Sequence, residues 1–208
     1  GPIVDTDDPG KDGAVELKLV EFEKDNSTPE DERPPGPVWE YEYYLTTTLA
    51  PGQRLTDIAI VDTLDADWQF TSFDGISGTC NAVQAGAPST PAAPPPPVGG
   101  GTITVNFSEI ENTGSNTCTV VITYSGYILD ILTEDGTIDP DEEGIVNVAT
   151  FDSSWTGNDD LQDITVPELS DTNTVLVDNM VFQKSVSPGT SVPETDLAYT
   201  INFQITQF

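Results

Sequence analysis

Histidine is absent from this 208-residue chain, and lysine and arginine together number six against 36 aspartates and glutamates. Without histidine the sequence lacks the commonest general base and transition-metal ligand, so hydrolytic and transition-metal chemistry lose their usual agents. The shortage of cations, with a formal net charge of −30, excludes nucleic acid as a partner, because neutralising phosphates takes clustered Lys and Arg. It also sets the chain against anionic membrane surfaces. No apolar run is long enough to span a bilayer, so no membrane insertion is expected, and the first residues lack the basic-then-apolar pattern of an export signal. An exported chain of this kind is then an internal or processed piece. G-x-S-x-G and phosphate-cradling glycine loops are also missing. Nothing here predicts an enzyme.

Cysteine is scarce too, at two residues, Cys80 and Cys118. Each sits in a polar, turn-like stretch (SGTCN and SNTCT). An exported protein meets an oxidising environment, so a disulfide between them is expected, with two free thiols as the alternative. The acid excess has two explanations, solvation in a salty exterior and binding of divalent cations such as Ca²⁺. Both place the protein outside the cell.

What is present in quantity is strand signal: period-two alternation rich in Val, Ile, Thr and Tyr, punctuated by turn residues, with almost no helical periodicity. Strands are expected at Ala14 to Phe22, Trp39 to Leu49, Leu55 to Leu64, Trp68 to Phe73, Thr102 to Phe107, Thr117 to Tyr127, Gly144 to Phe151 and Asp163 to Val166. The acidic, Pro-rich stretch from Asp25 to Pro37 is expected to be a solvated loop. So is AGAPSTPAAPPPPVGGG (Ala85 to Gly101), whose prolines cannot donate ladder hydrogen bonds and which doubles as a conceivable ligand for a proline-recognition domain. This pattern predicts an all-β, immunoglobulin-like β-sandwich over residues 14–175, preceded by an acidic segment or linker at 1–13. After the polar stretch Ser170 to Thr174, residues 176–208 read as the first strands of a second similar module. Lys184-Ser185-Val186 stands where Lys18-Leu19-Val20 stands, and LAYTINFQI parallels WEYEYYLTT.

Three polar residues fall on otherwise apolar strand faces. Lys18 shares its face with Val20 and Phe22, Asp62 with Ile58, Ile60 and Leu64, and Asn147 with Ile145, Ala149 and Phe151. Buried polar groups of this kind must be paired or chemically altered.

The order of these elements, with a first-strand lysine, an aromatic second strand, LTDIAIVDTLDADWQFTSF (Leu55 to Phe73), a cysteine pair bracketing a hairpin and GIVNVATF (Gly144 to Phe151), resembles the bacterial surface repeat called domain of unknown function eleven. Fimbrial isopeptide-forming domains are its cousins. The resemblance implies tandem sandwich modules projecting from a cell surface as spacer or adhesin, with neighbouring repeats as partners. It also implies an autocatalytic isopeptide in which Lys18 joins Asn147 with Asp62 assisting. The alternative is that Lys18 snorkels to solvent or pairs with Asp62 while Asn147 bonds to backbone.

Two acidic runs are candidates for Ca²⁺, the N-terminal VDTDDPGKDG and DILTEDGTIDPDEE (Asp130 to Glu143), with Asp135, Asp139, Asp141 and Glu143 the best ligands. Three functions remain in view: a structural or adhesive stalk repeat, a filament protomer that donates its C-terminal strands to an identical subunit, and an adhesin module binding a host or environmental ligand through Trp68 and Trp155.

Overall fold

The computed structural model describes residues 19–28, 32–93, 99–129, 144–155, 164–177, 180–187 and 198–205. Alternation builds its strands. In β3 (Tyr41–Leu49), Tyr41, Tyr43, Leu45, Thr47 and Leu49 are buried and the residues between them are half-exposed, the period-two pattern of a strand with one covered face. The same logic produces β1 (Val20–Asn26), β4 (Arg54–Leu64), β5 (Trp68–Gly78), β7 (Gly101–Glu111), β8 (Cys118–Ile128) and β9 (Gly144–Trp155). Short strands β2 (Glu32–Arg33) and β6 (Asn81–Gln84) and the long β10 (Ile164–Val177) complete two sheets. One is four-stranded, in the order β1-β3-β8-β5, and the other six-stranded, in the order β2-β10-β9-β4-β7-β6. All their pairings are antiparallel except the two-residue contact of β2 with β10. The inner faces of the two sheets enclose a core that includes Tyr43, Trp68, Phe107, Tyr124 and Phe151. The fold is an immunoglobulin-like β-sandwich.

Three local devices hold the layers in register. Asp57 adopts φ 53°, and the pairing of β4 with β9 shifts between Thr56 and Ala59. This bulge changes the parity of the strand, so that both Leu55 and Ile58 are buried. At Gly126 of β8 an added Cβ would lie 2.3 Å from Trp68 Cζ2 and 2.3 Å from the Gln69 carbonyl oxygen; glycine is what lets the buried indole lie against the strand. The Cys80–Cys118 disulfide ties the β5–β6 turn to the start of β8, where the chain crosses from one sheet to the other.

Several boundaries differ from those expected. The first strand begins within the predicted one but runs on to Asn26, into the stretch expected to be loop, while residues 14–18 lie outside the described residues. β10 extends from 164 to 177 and absorbs the polar stretch Ser170 to Thr174 that reads as a linker. Those polar side chains are used: Asp171 accepts the Lys24 backbone N–H at 2.8 Å and Asn173 Oδ1 accepts Asn26 Nδ2 at 2.8 Å, which ties β10 to the opposite sheet. Within the Pro-rich stretch, the Ala92 carbonyl accepts Gln69 Nε2 at 3.4 Å and Gly99 N–H donates to Gln69 Oε1 at 3.2 Å, so both flanks of this insertion are anchored on β5.

Beyond β10, β11 (Met180–Ser187) and β12 (Ala198–Ile205) form a two-stranded sheet of their own. Its register repeats that of β1 and β3. Lys24 pairs with Leu45 and Asn26 with Tyr43, while Lys184 pairs with Ile201 and Val186 with Tyr199. The matching stretches are VEFEK and MVFQK, so the counterpart of Lys184 is Lys24 rather than Lys18.

Candidate functional site

Between the sheets lies a chamber containing a lysine, a carboxylate and an amide. The lysine is Lys24. In β1 the acids Glu21, Glu23 and Asp25 face outward, while Val20, Phe22, Lys24 and Asn26 face the core. Lys24 Nζ lies 2.6 Å from both Asp62 carboxylate oxygens and 3.2 Å from Tyr124 Oη, and the side chains of Lys24 and Asp62 are both fully buried. Tyr124 donates its phenolic hydrogen to Asp62. The Lys24 ammonium stands over the Tyr43 ring, 4.6 Å from its centroid, and 6.0 Å from that of Tyr124. The chamber thus holds its cation with one carboxylate, one hydroxyl and two aromatic faces.

Burial dominates the electrostatics. It lowers the Lys24 pKa from 10.5 to about 8, although the charge of Asp62, its hydrogen bond and the charge of Asp171 all pull the other way. Burial likewise pushes the Tyr124 phenol well above its ordinary range, with the Asp62 charge and hydrogen bond adding to the effect. An amine with a lowered pKa releases its proton readily and becomes nucleophilic.

Asp62 and Asn147 both face the core from the six-stranded sheet, Asp62 against a lysine and Asn147 against backbone. Asp62 is on β4 opposite Ala149 of β9, and Asn147 is two residues along the same inward face of β9. Both are completely buried. Asn147 Oδ1 accepts the backbone N–H of Asp65 at 2.6 Å, and the amide's other polar neighbour is the Tyr43 hydroxyl. The amide also faces the Tyr43 hydroxyl: burial raises that phenol's pKa, and interactions with Tyr41 and Asn147 oppose the rise. Tyr43 therefore has the amine over its ring and the amide at its hydroxyl, and its ring is 5.7 Å from that of Tyr124. Lys24, Asp62, Tyr124, Tyr43 and Asn147 thus form one buried polar cluster with Tyr43 at its centre.

Lys18, the lysine expected from the sequence, lies outside the described residues, and Lys24 is the lysine that meets Asp62. The alternation Val20, Phe22, Lys24 was present in the sequence and marks this residue as strongly as it marks Lys18. Tyr43 and Tyr124 were legible only as aromatic positions. Trp68 is fully buried, so it is part of the core and no platform for a ligand. Trp155 is partly buried against the core and donates its indole N–H to Gln53 Oε1 at 2.9 Å. The suggested Ca²⁺ ligands Asp135, Asp139, Asp141 and Glu143 lie outside the described residues, as does the N-terminal acidic run. The cysteines are joined, as expected. Among the described residues no helix is long and apolar enough to cross a membrane.

No protein-family model and no curated protein sequence matches this chain. Among solved structures, the collagen-binding domain from a Staphylococcus aureus adhesin is 12% identical, with a TM-score of 0.37, covering 76% of this chain and 98% of that one. Spo0M, a sporulation control protein from Bacillus subtilis, is 9% identical with a TM-score of 0.32, covering 92% of this chain and 69% of that one. AvmM, which catalyses macrocyclization in alchivemycin A biosynthesis, is 10% identical with a TM-score of 0.32, covering 74% of this chain and 88% of that one.

Proposed function

We propose that this chain is a structural or adhesive module of an extracellular bacterial surface protein, and that its two sheets are fastened by an isopeptide bond between Lys24 and Asn147. The observation that carries this reading is the buried Lys24–Asp62 pair at 2.6 Å, with the Lys24 ammonium over the Tyr43 ring and the Asn147 amide at the Tyr43 hydroxyl. A lysine ammonium and a carboxylate taken out of water are costly to desolvate, and their attraction seldom does more than offset that cost. Conversion of the ammonium to a neutral amide, with loss of ammonia, removes the buried charge altogether.

The placement suits a mechanical role. Lys24 is on the edge strand of the four-stranded sheet and Asn147 is on β9 of the six-stranded one. Tension entering at β1 would pass through the covalent bond into β9 and bypass every strand between them. A disulfide in the same domain is consistent with an oxidising exterior, and the net charge of −30 favours solvation there.

The hairpin of β11 and β12 extends this reading. Its repetition of the β1–β3 register, with Lys184 and Tyr199 in the places of Lys24 and Tyr43, favours the opening of a second module over strands donated to an identical subunit. A two-stranded ribbon is at best marginal alone, so further strands would be needed to cover it.

The test is digestion of the reduced, denatured protein with an acid-specific protease, followed by tandem mass spectrometry. The account predicts a branched peptide joining the Lys24 segment to the Asn147 segment. Recovery of both segments only as linear peptides would refute it.

A further inference from the structure

The turn after β4 is tied to the Asn147 amide and to the residue before it. Asp65 Oδ1 accepts the Asp67 N–H at 2.9 Å, which closes a local turn, and Asp65 Oδ2 accepts the Val146 N–H at 3.1 Å. The carboxylate thus clamps its own turn to the residue immediately before Asn147. With the turn so fixed, the Asp65 backbone N–H points at Asn147 Oδ1 from 2.6 Å. The result is a fully buried carboxamide whose oxygen is fixed by that N–H, with the Tyr43 hydroxyl as the amide's other polar neighbour.

A structural asparagine serves a fold best when both ends of its amide are satisfied, because an unpaired buried N–H₂ costs free energy. An electrophilic amide has different needs. Its oxygen becomes the oxyanion of a tetrahedral intermediate and requires a fixed donor, while its nitrogen must be free to leave. Asn147 has the fixed donor at its oxygen that this chemistry requires.

We infer that the backbone N–H of Asp65 is the oxyanion donor for acyl transfer at Asn147 Cγ, and that the Asp65 carboxylate is a positioning group which aims it. This inference rests on the cross-linking reading above. In the step it serves, the Lys24 ammonium first passes one proton to the Asp62 carboxylate. The freed Nζ lone pair attacks Asn147 Cγ, forming the N–C bond as the carbonyl π pair moves onto Oδ1, where the Asp65 N–H holds it. A second Nζ proton is transferred through the Asp62 carboxyl group to Asn147 Nδ2. The carbonyl re-forms, the Cγ–Nδ2 bond breaks and ammonia leaves. Of the three ammonium protons one stays on the new amide, one departs with ammonia and one remains on Asp62.

The experiment follows ammonia loss after a short pulse of cell-free synthesis under disulfide-forming conditions. Samples are quenched in acidic denaturant at intervals and read by intact mass, with thermal stability of each variant measured in parallel. Three proteins are compared: wild type, Asp65→Ala, which keeps the N–H and loses the clamp, and Asp65→Pro, which loses both. The expected result is a several-fold slower reaction in Asp65→Ala and a loss of about 100-fold or more in Asp65→Pro, the range for one oxyanion donor. A purely structural role would lower stability in both variants without separating their rates. Should Asp65→Pro fail to fold, Asp65→Ala decides the matter: a rate equal to wild type at lowered stability overturns the inference. Equal rates in all three proteins overturn it while leaving the cross-link intact. No ammonia loss in the wild type overturns the cross-linking reading and this inference with it.

Discussion

Lys24 governs the energetics at the scale of single residues, because its burial couples stability to pH. Its pKa in the fold, about 8, lies below the 10.5 of an unperturbed lysine. Below pH 8 the group is charged in both states and the full cost of burying the charge is felt. Between about 8 and 10 the unfolded chain holds a proton that the folded chain has released, so stability rises with pH, by up to about 1.4 kcal/mol per unit. This applies only while the amine is free. An Asn147→Ala variant should therefore gain stability across that window in denaturant titrations, and the Asn147→Ala, Lys24→Met double variant should not. A cross-linked wild type carries no titrating amine and should also lack the slope. Above pH 10 the phenols Tyr41, Tyr43 and Tyr124, all raised by burial, reverse the trend as the unfolded chain ionises first. Much of this site was legible in the sequence. Asp62 and Asn147 declared themselves as polar interruptions of apolar faces, since a period of two leaves a strand residue no choice of side. The lysine did not, because Lys18 and Lys24 share one parity and the acidic, Pro-rich stretch obscured where the strand ends. The Asp65 N–H was beyond reach, as a backbone donor's aim depends on a turn whose geometry no side chain announces.

At the scale of elements, the packing of β5 against β8 depends on a missing side chain. Trp68 is fully buried, with the Tyr41, Tyr43 and Tyr124 rings within 6.1 Å of its own, centroid to centroid, and Gly126 leaves room for its indole. Gly126→Ala would force a carbon to within 2.3 Å of that ring. The expected cost is about 1–3 kcal/mol from overpacking, measurable as a lower denaturant midpoint with an unchanged slope. The central strands were legible because each alternates over seven residues or more against an apolar core. β10 was not, since its inward residues Asp171 and Asn173 are polar and find their partners on β1, a contact between residues about 150 apart in sequence that local pattern does not encode. β6 was missed because its four residues are all exposed and present no alternation.

For the whole molecule, the disulfide constrains the unfolded chain as well as the folded one, and the proposed isopeptide would do the same. The disulfide spans a sequence separation of 38, for which loop-closure entropy gives about 4 kcal/mol. Replacing both cysteines by serine should lower stability by roughly that amount, read by chemical denaturation in the Lys24→Met background so that the two constraints are not confounded. The isopeptide would close a longer loop and, unlike the disulfide, would survive reduction. A covalent cross-link of this kind changes the mass of the chain, and intact mass of the reduced, denatured protein by high-resolution mass spectrometry reads that change. The expected wild-type mass is lower than the sequence value by one ammonia, returning to that value in Lys24→Met and in Asn147→Ala. A wild-type mass equal to the sequence value would rule the cross-link out and leave Lys24 and Asp62 as a buried ion pair.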